Sequence, residues 1–116
     1  MKRVLISNAP PNGNSDTAVL LGFHLEELKK DGDPIAQVSI VSDRQEVEEH
    51  MKSGQVDVLF CLSADELDWA RKMKAAYKNI KIVVLTALVP DEEVILADKV
   101  SALSPTNGNF LKNLIM

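Results

Sequence analysis

Cysteine is almost missing from this chain of 116 residues: Cys61 stands alone, so no internal disulfide framework can form. A lone thiol fits a reducing compartment, and the cytoplasm is the expected location. Its place inside an apolar run marks it as an inert core residue rather than a nucleophile. Histidine is scarce as well. His24 and His50 stand apart, with no cysteine or acid at metal-ligand spacing, so no metal site is expected. No Ser–His–Asp or Cys–His arrangement can be assembled, and no enzymatic activity is expected. An excess of positive charge is absent too. Thirteen basic residues face 17 acidic ones, a net charge of −4, which gives no general attraction to nucleic acid or to an anionic membrane. No apolar run is long enough to span a bilayer, and no stretch reads as a signal peptide.

What is present is an ordinary globular composition, 46% apolar and 26% charged, enough for one domain over residues 1–116 with its own core. The organising stretch is Val56 to Leu62, an apolar run between a polar turn and a helix-like segment. A strand buried on both faces of a parallel sheet reads this way. Val4-Leu5-Ile6 is a first strand and Ala36–Val41 a second. Ile80 to Leu88 is a β-branched fourth, and Val100 to Leu103 a short fifth. Between them lie helices. The first runs from a cap at Ser15 or Asp16 to about Lys30. The second covers Arg44 to Ser53, capped by Ser42 or Asp43 and closed by Gly54. The third covers Asp65 to Tyr77, the fourth Asp91 to Asp98, and the last Asn109 to Ile115. Strands alternating with helices imply right-handed crossovers and helices on both faces of a parallel sheet. The expected fold is a three-layer α/β/α sandwich with strand order 2-1-3-4-5. Ligands would then bind beyond the carboxyl ends of strands one, three and four. Asp65, Glu66 and Asp68 read as a solvated acidic first turn of the third helix, with Asp65 as a capping acid.

Several stretches resemble the receiver domains of response regulators, over nearly the whole chain. Lys2-Arg3-Val4-Leu5-Ile6 matches the opening strand. Glu46-Val47-Glu48-Glu49-His50-Met51 followed by Val56-Asp57-Val58-Leu59-Phe60 is similar to the second helix and third strand. Ile82-Val83-Val84-Leu85-Thr86-Ala87 resembles the fourth strand, and Leu103-Ser104-Pro105 the end of the fifth. The resemblance implies the flavodoxin-like, CheY-like fold, but the phosphorylation residues do not carry over. The aspartate that accepts the phosphoryl group falls on Leu62. The two acids that hold Mg²⁺ fall on Asn8 and Ala9. The lysine of strand five falls on Ser104 and its aromatic switch residue on Ser101; only Thr86 and Pro105 remain. Leucine has no nucleophilic oxygen, and a hard cation needs oxygen ligands. Asp65 is the nearest acid that could replace the acceptor. The resemblance therefore implies a degenerate receiver without cofactor, acting through a protein partner in a two-component-type pathway. Its partner surface would lie around Val89, Val94, Leu96, Ser101, Leu103 and Phe110.

A second resemblance competes. Ile6-Ser7-Asn8-Ala9-Pro10-Pro11-Asn12-Gly13-Asn14-Ser15 is similar to the phosphate loop of flavodoxins and NADPH-dependent flavin reductases. Hydroxyls, loop amides and a helix N-terminus favour an anion there. Ser7, Asn12, Gly13, Asn14 and Ser15 would hold the phosphate of FMN, with Trp69 the one candidate flavin neighbour. The loop lacks the reductases' arginine and is one residue shorter. A third reading is a homodimerising scaffold with an empty crevice.

Overall fold

Residues Val58, Leu59, Phe60 and Cys61 are all buried, so the strand they form has no solvent face. In the computed structural model, which describes residues 1–7, 15–62, 66–86, 95–98 and 108–115, this strand is the centre of a five-stranded sheet. The elements in chain order are β1 (Lys2–Ser7), α1 (Ser15–Glu26), β2 (Lys29–Lys30), β3 (Asp33–Pro34), β4 (Ala36–Val41) and α2 (Arg44–Lys52). They continue with β5 (Val58–Cys61), α3 (Leu67–Ala76), β6 (Lys81–Thr86), β7 (Ile95–Asp98) and α4 (Gly108–Ile115). The sheet runs β4-β1-β5-β6-β7, with every neighbouring pair parallel.

Strand periodicity divides the core in two. Val4, Ile6, Val58, Phe60, Val83 and Leu85 point to one face and meet Ala18, Leu21 and Leu25 of α1 with Leu111 and Ile115 of α4. Leu5, Leu59, Cys61, Ile82 and Val84 point to the other and meet Val47 and Met51 of α2 with Ala70 and Met73 of α3. The expected α/β layering, a parallel sheet flanked by helices, is therefore present. Covering both faces is what a parallel sheet requires, and burying Phe60 alone contributes roughly 1.5–3 kcal/mol.

Local signals set most boundaries. The Asp43 carboxylate accepts the Gln45 N–H at 2.8 Å and caps α2, and Gly54, with φ 73°, takes the left-handed conformation just past that helix. Lys74 donates to the carbonyls of Lys78 and Ile80 at 3.0 Å each and closes the turn after α3. At the amino end of the sheet Arg3 grips Asp57, its Nε at 3.2 Å and its backbone N–H at 2.8 Å. These hydrogen bonds hold the Asp57 carboxyl below its ordinary value.

Two expectations need correction. The first helix ends at Glu26, not near Lys30. Lys29–Lys30 and Asp33–Pro34 form a small antiparallel hairpin instead. Its turn is Asp31-Gly32, at φ 55° and 86°, and two positive φ angles at Asp-Gly are the signature of a tight hairpin turn. Residues 95–98, expected at the end of a helix, are a strand: Ile95-Leu96-Ala97-Asp98 pairs with Val83–Thr86. An apolar Ile-Leu-Ala run beside an open sheet edge gains a ladder there that an isolated short helix does not. The expected fifth strand at Val100 to Leu103 lies outside the described residues.

Gly22 sits inside α1, and a Cβ added there would meet Val38, Ile40 and Ile6 side chains at 3.5–3.7 Å, ordinary contact. Gly22→Ala should therefore raise stability, by about 0.5–1 kcal/mol from helix propensity. Urea unfolding of the two proteins measures the difference.

Candidate functional site

The carboxyl ends of β1 and β5 lie side by side, because Ser7 is in register with Cys61. Both side chains are fully buried. Beyond β5 the chain turns into α3, whose N-cap residue is Glu66. The Glu66 side chain makes no capping bond to its own helix. It is 1% exposed, and its carboxyl faces Ser7 and Cys61. This corrects the expectation of a solvated acidic first turn: Asp68 is exposed, but Glu66 is not. Helical spacing sends these two residues in different directions, and a single stretch of sequence does not say which one meets the sheet.

Burial pushes the Glu66 carboxyl above its ordinary value of 4.5. The charge of Arg44 and the polar groups of Cys61 and Ser7 pull it back only in part. Burial, with the nearby Glu66 carboxyl, also pushes the Cys61 thiol well above 9.0. A thiol held protonated this way is a poor nucleophile. Ser7 Oγ and Glu66 Oε2 are both buried without a hydrogen-bond partner among the described residues. Arg44, the first residue of α2, places its guanidinium over the Trp69 ring at 5.1 Å from the centroid. Its Nε is likewise buried and unpaired among the described residues. The carboxyl end of the sheet thus carries a buried polar group of serine, thiol and carboxyl, flanked by an arginine stacked on a tryptophan. Hydroxyl and carboxyl together can donate and accept hydrogen bonds, while the thiol contributes bulk rather than reactivity.

Leu62, where the receiver resemblance would put the acceptor aspartate, is 2% exposed and packs into the same core as Phe60. Thr86 ends β6 opposite Asp98. Ser15 is the first residue of α1, Leu96 lies in β7 opposite Val84, and Phe110 lies in α4. Asn8, Ala9, Asn12, Gly13, Asn14, Asp65, Val89, Val94, Ser101, Leu103 and Ser104 lie outside the described residues. Of the expected site residues the structure therefore brings Ser7 and Leu62 to one strand-end region. It adds Glu66, Arg44 and Cys61, which the sequence reading had not joined. The signal for Glu66 was faint, one acid among three near a helix start. Among the described residues no group of three or more His, Cys, Asp or Glu side chains could hold a metal ion. None of their helices is long and apolar enough to cross a membrane.

Ionising Glu66 works against folding, because the folded state holds that proton more tightly than the unfolded chain. The stability linked to this group is complete below about pH 4.5 and declines as pH rises through the raised folded value. Glu66→Gln, a permanently neutral isostere, should raise the melting temperature at pH 7. The gain should close below pH 4.5, as thermal melts across pH 4 to 8 would show.

No family model and no curated protein matches the chain. One solved structure is similar, a fragment from Peptoclostridium difficile 630 described as a "putative lipoprotein". The two cover 100% of each other with a TM-score of 0.66 at 10% sequence identity, a likeness of fold.

Proposed function

We propose that this chain is a receiver-like module that takes no phosphoryl group and acts by binding another protein in a two-component-type pathway. The observation that carries the reading is Leu62. It stands where a receiver keeps its acceptor aspartate, and its side chain is buried in the core. Phosphoryl transfer through a receiver needs a carboxylate nucleophile and a cluster of acids for Mg²⁺. Among the described residues the carboxyl at this end of the sheet is Glu66, near Ser7 and Cys61, and burial raises it above its ordinary value, which suits neither role. On this reading the sheet follows the doubly wound, flavodoxin-like order 2-1-3-4-5, the module works in the cytoplasm, and partners dock around Val89, Val94, Leu96, Ser101, Leu103 and Phe110.

One observation favours a second reading, a small-ligand site for phosphate or FMN in the Ser7 to Ser15 loop. Ser7 Oγ is buried and unpaired among the described residues at the end of β1, with α1 opening at Ser15. A ligand that reached this hydroxyl would supply the missing partner.

Incubation with acetyl phosphate and Mg²⁺, followed by intact mass measurement, tests the first reading. The expected result is no phosphoryl adduct. An adduct would overturn it and point to Asp65 or another acid as acceptor. Titration with FMN, followed by Trp69 fluorescence, tests the second. Saturable quenching that Ser15→Ala abolishes would favour the ligand site over the partner-binding module.

A further inference from the structure

One edge of the sheet is left open in a way that matches itself. Among the described residues β4 pairs with β1 alone, so its other side carries backbone groups that none of them pairs with. Their identity follows from one bond. The Lys2 N–H donates to the Ile35 carbonyl at 2.8 Å, which turns Ile35, Gln37, Ser39 and Val41 toward β1. Ala36, Val38 and Ile40 therefore point their N–H and C=O groups outward. Natural edges are guarded by charge, proline, a bulge or a covering element. Ala36–Val41 reads AQVSIV, with no charge and no proline.

The side chains of those same three residues share the face on which α1 lies. Val38 and Ile40 line an open groove of about 330 Å³ with Val19, Gly22, Phe23 and Glu26. Val19, Phe23 and Ile40 are 61%, 57% and 42% exposed, unusual for large apolar residues so close together. Helical spacing explains the row. Ala18, Leu21 and Leu25 face the core, and Val19 and Phe23 fall on the flank of α1 beside β4.

We propose that this edge is a homodimer seam, in which β4 pairs antiparallel with β4 of a second copy across a two-fold axis. The parity of the outward groups fixes the register. Antiparallel partners exchange two N–H···O bonds only when both residues point toward the seam. Full use of the open edge therefore sets Val38 opposite Val38 of the second copy, and Ala36 opposite its Ile40. Directly opposed residues lie on the same face, so the exposed Ile40 meets alanine, and the Val19–Phe23 rows of the two α1 helices close over the seam. A two-fold interface must be self-complementary, and this edge pairs apolar with apolar at every outward position. The area is adequate. Taking roughly 150–250 Å² for each large side chain, the exposed fractions leave on the order of 300 Å² per copy. Two copies bring about 600 Å² of apolar side chain together before the strand edges are counted, which suits a weak, reversible interface. The dimer would join two modules through the edge opposite β7, and it does not depend on how the carboxyl end of the sheet is used.

Sedimentation equilibrium of the full chain from low micromolar to several hundred micromolar reads the association. A monomer–dimer equilibrium is expected, and Ile40→Lys or Phe23→Lys should weaken it by about tenfold or more by setting charge into an apolar seam. Both positions are solvent-exposed, so the variants keep the fold. The register is tested by oxidative crosslinking. Val38→Cys should form an intermolecular disulfide well ahead of Gln37→Cys, which this register sets opposite Ser39 of the second copy rather than opposite itself, and buried Cys61 should stay silent. A monomer at every concentration would overturn the proposal. So would a dimer that Ile40→Lys and Phe23→Lys leave intact, or crosslinking as fast at residue 37 as at residue 38.

Discussion

The fold depends on the burial of β5 from both sides. A strand covered on one face can alternate apolar with polar residues, but Val58-Leu59-Phe60-Cys61 has no face left for polarity. Helices are therefore needed above and below it. α1 and α4 meet Val58 and Phe60, and α2 and α3 meet Leu59 and Cys61. The same constraint shapes the chemistry at the strand's end. Side chains there are either apolar, as Leu62 is, or polar and forced to share a dry space, as Ser7 and Glu66 are. A carboxyl in that setting is driven toward its neutral form by the loss of water around it. Arg44 is close enough to pull against this but spends its planar face on Trp69.

How much of this was legible in the sequence depends on the kind of signal. Asp43 before α2, Gly54 after it and the Ala36–Val41 alternation each rest on a residue's own backbone preference, and each was read correctly. Asp31-Gly32 was read only as a helix end, although Asp-Gly between two short extended pairs is also a hairpin turn; neighbouring Lys29 and Lys30 suit a helix terminus equally well. Residues 95–98 were misread because four residues are too few to separate helical from extended spacing, and a vacant place beside β6 decided the outcome. That vacancy is a property of the assembled sheet. Glu66 failed for a related reason. Its burial follows from where α3 lands on the sheet, and neither of its acidic neighbours in the sequence records that.

The buried polar group and the open edge sit at different places on one scaffold. The polar group lies at the carboxyl ends of β1 and β5, the end at which open α/β sheets bind ligands. The β4 edge lies at the sheet's flank beside α1. The layered scaffold that the two-sided strand enforces leaves both places available at once, because neither the strand end nor the β4 edge shares residues with the other. The similar fragment from Peptoclostridium difficile 630, alike in fold at 10% identity, shows how little of the sequence that scaffold requires.

Burial at the end of β5 holds the Glu66 carboxyl above its ordinary value, at a place where the receiver resemblance would put ionised acids. A carbon-detected NMR titration of the side-chain carboxyls, with and without Mg²⁺, measures this directly. The expected result is a Glu66 that titrates above 4.5, with a curve that Mg²⁺ leaves unchanged. A Glu66 that titrates at or below 4.5, or whose titration Mg²⁺ moves downward, would mean a charged, cation-binding strand end and would contradict it.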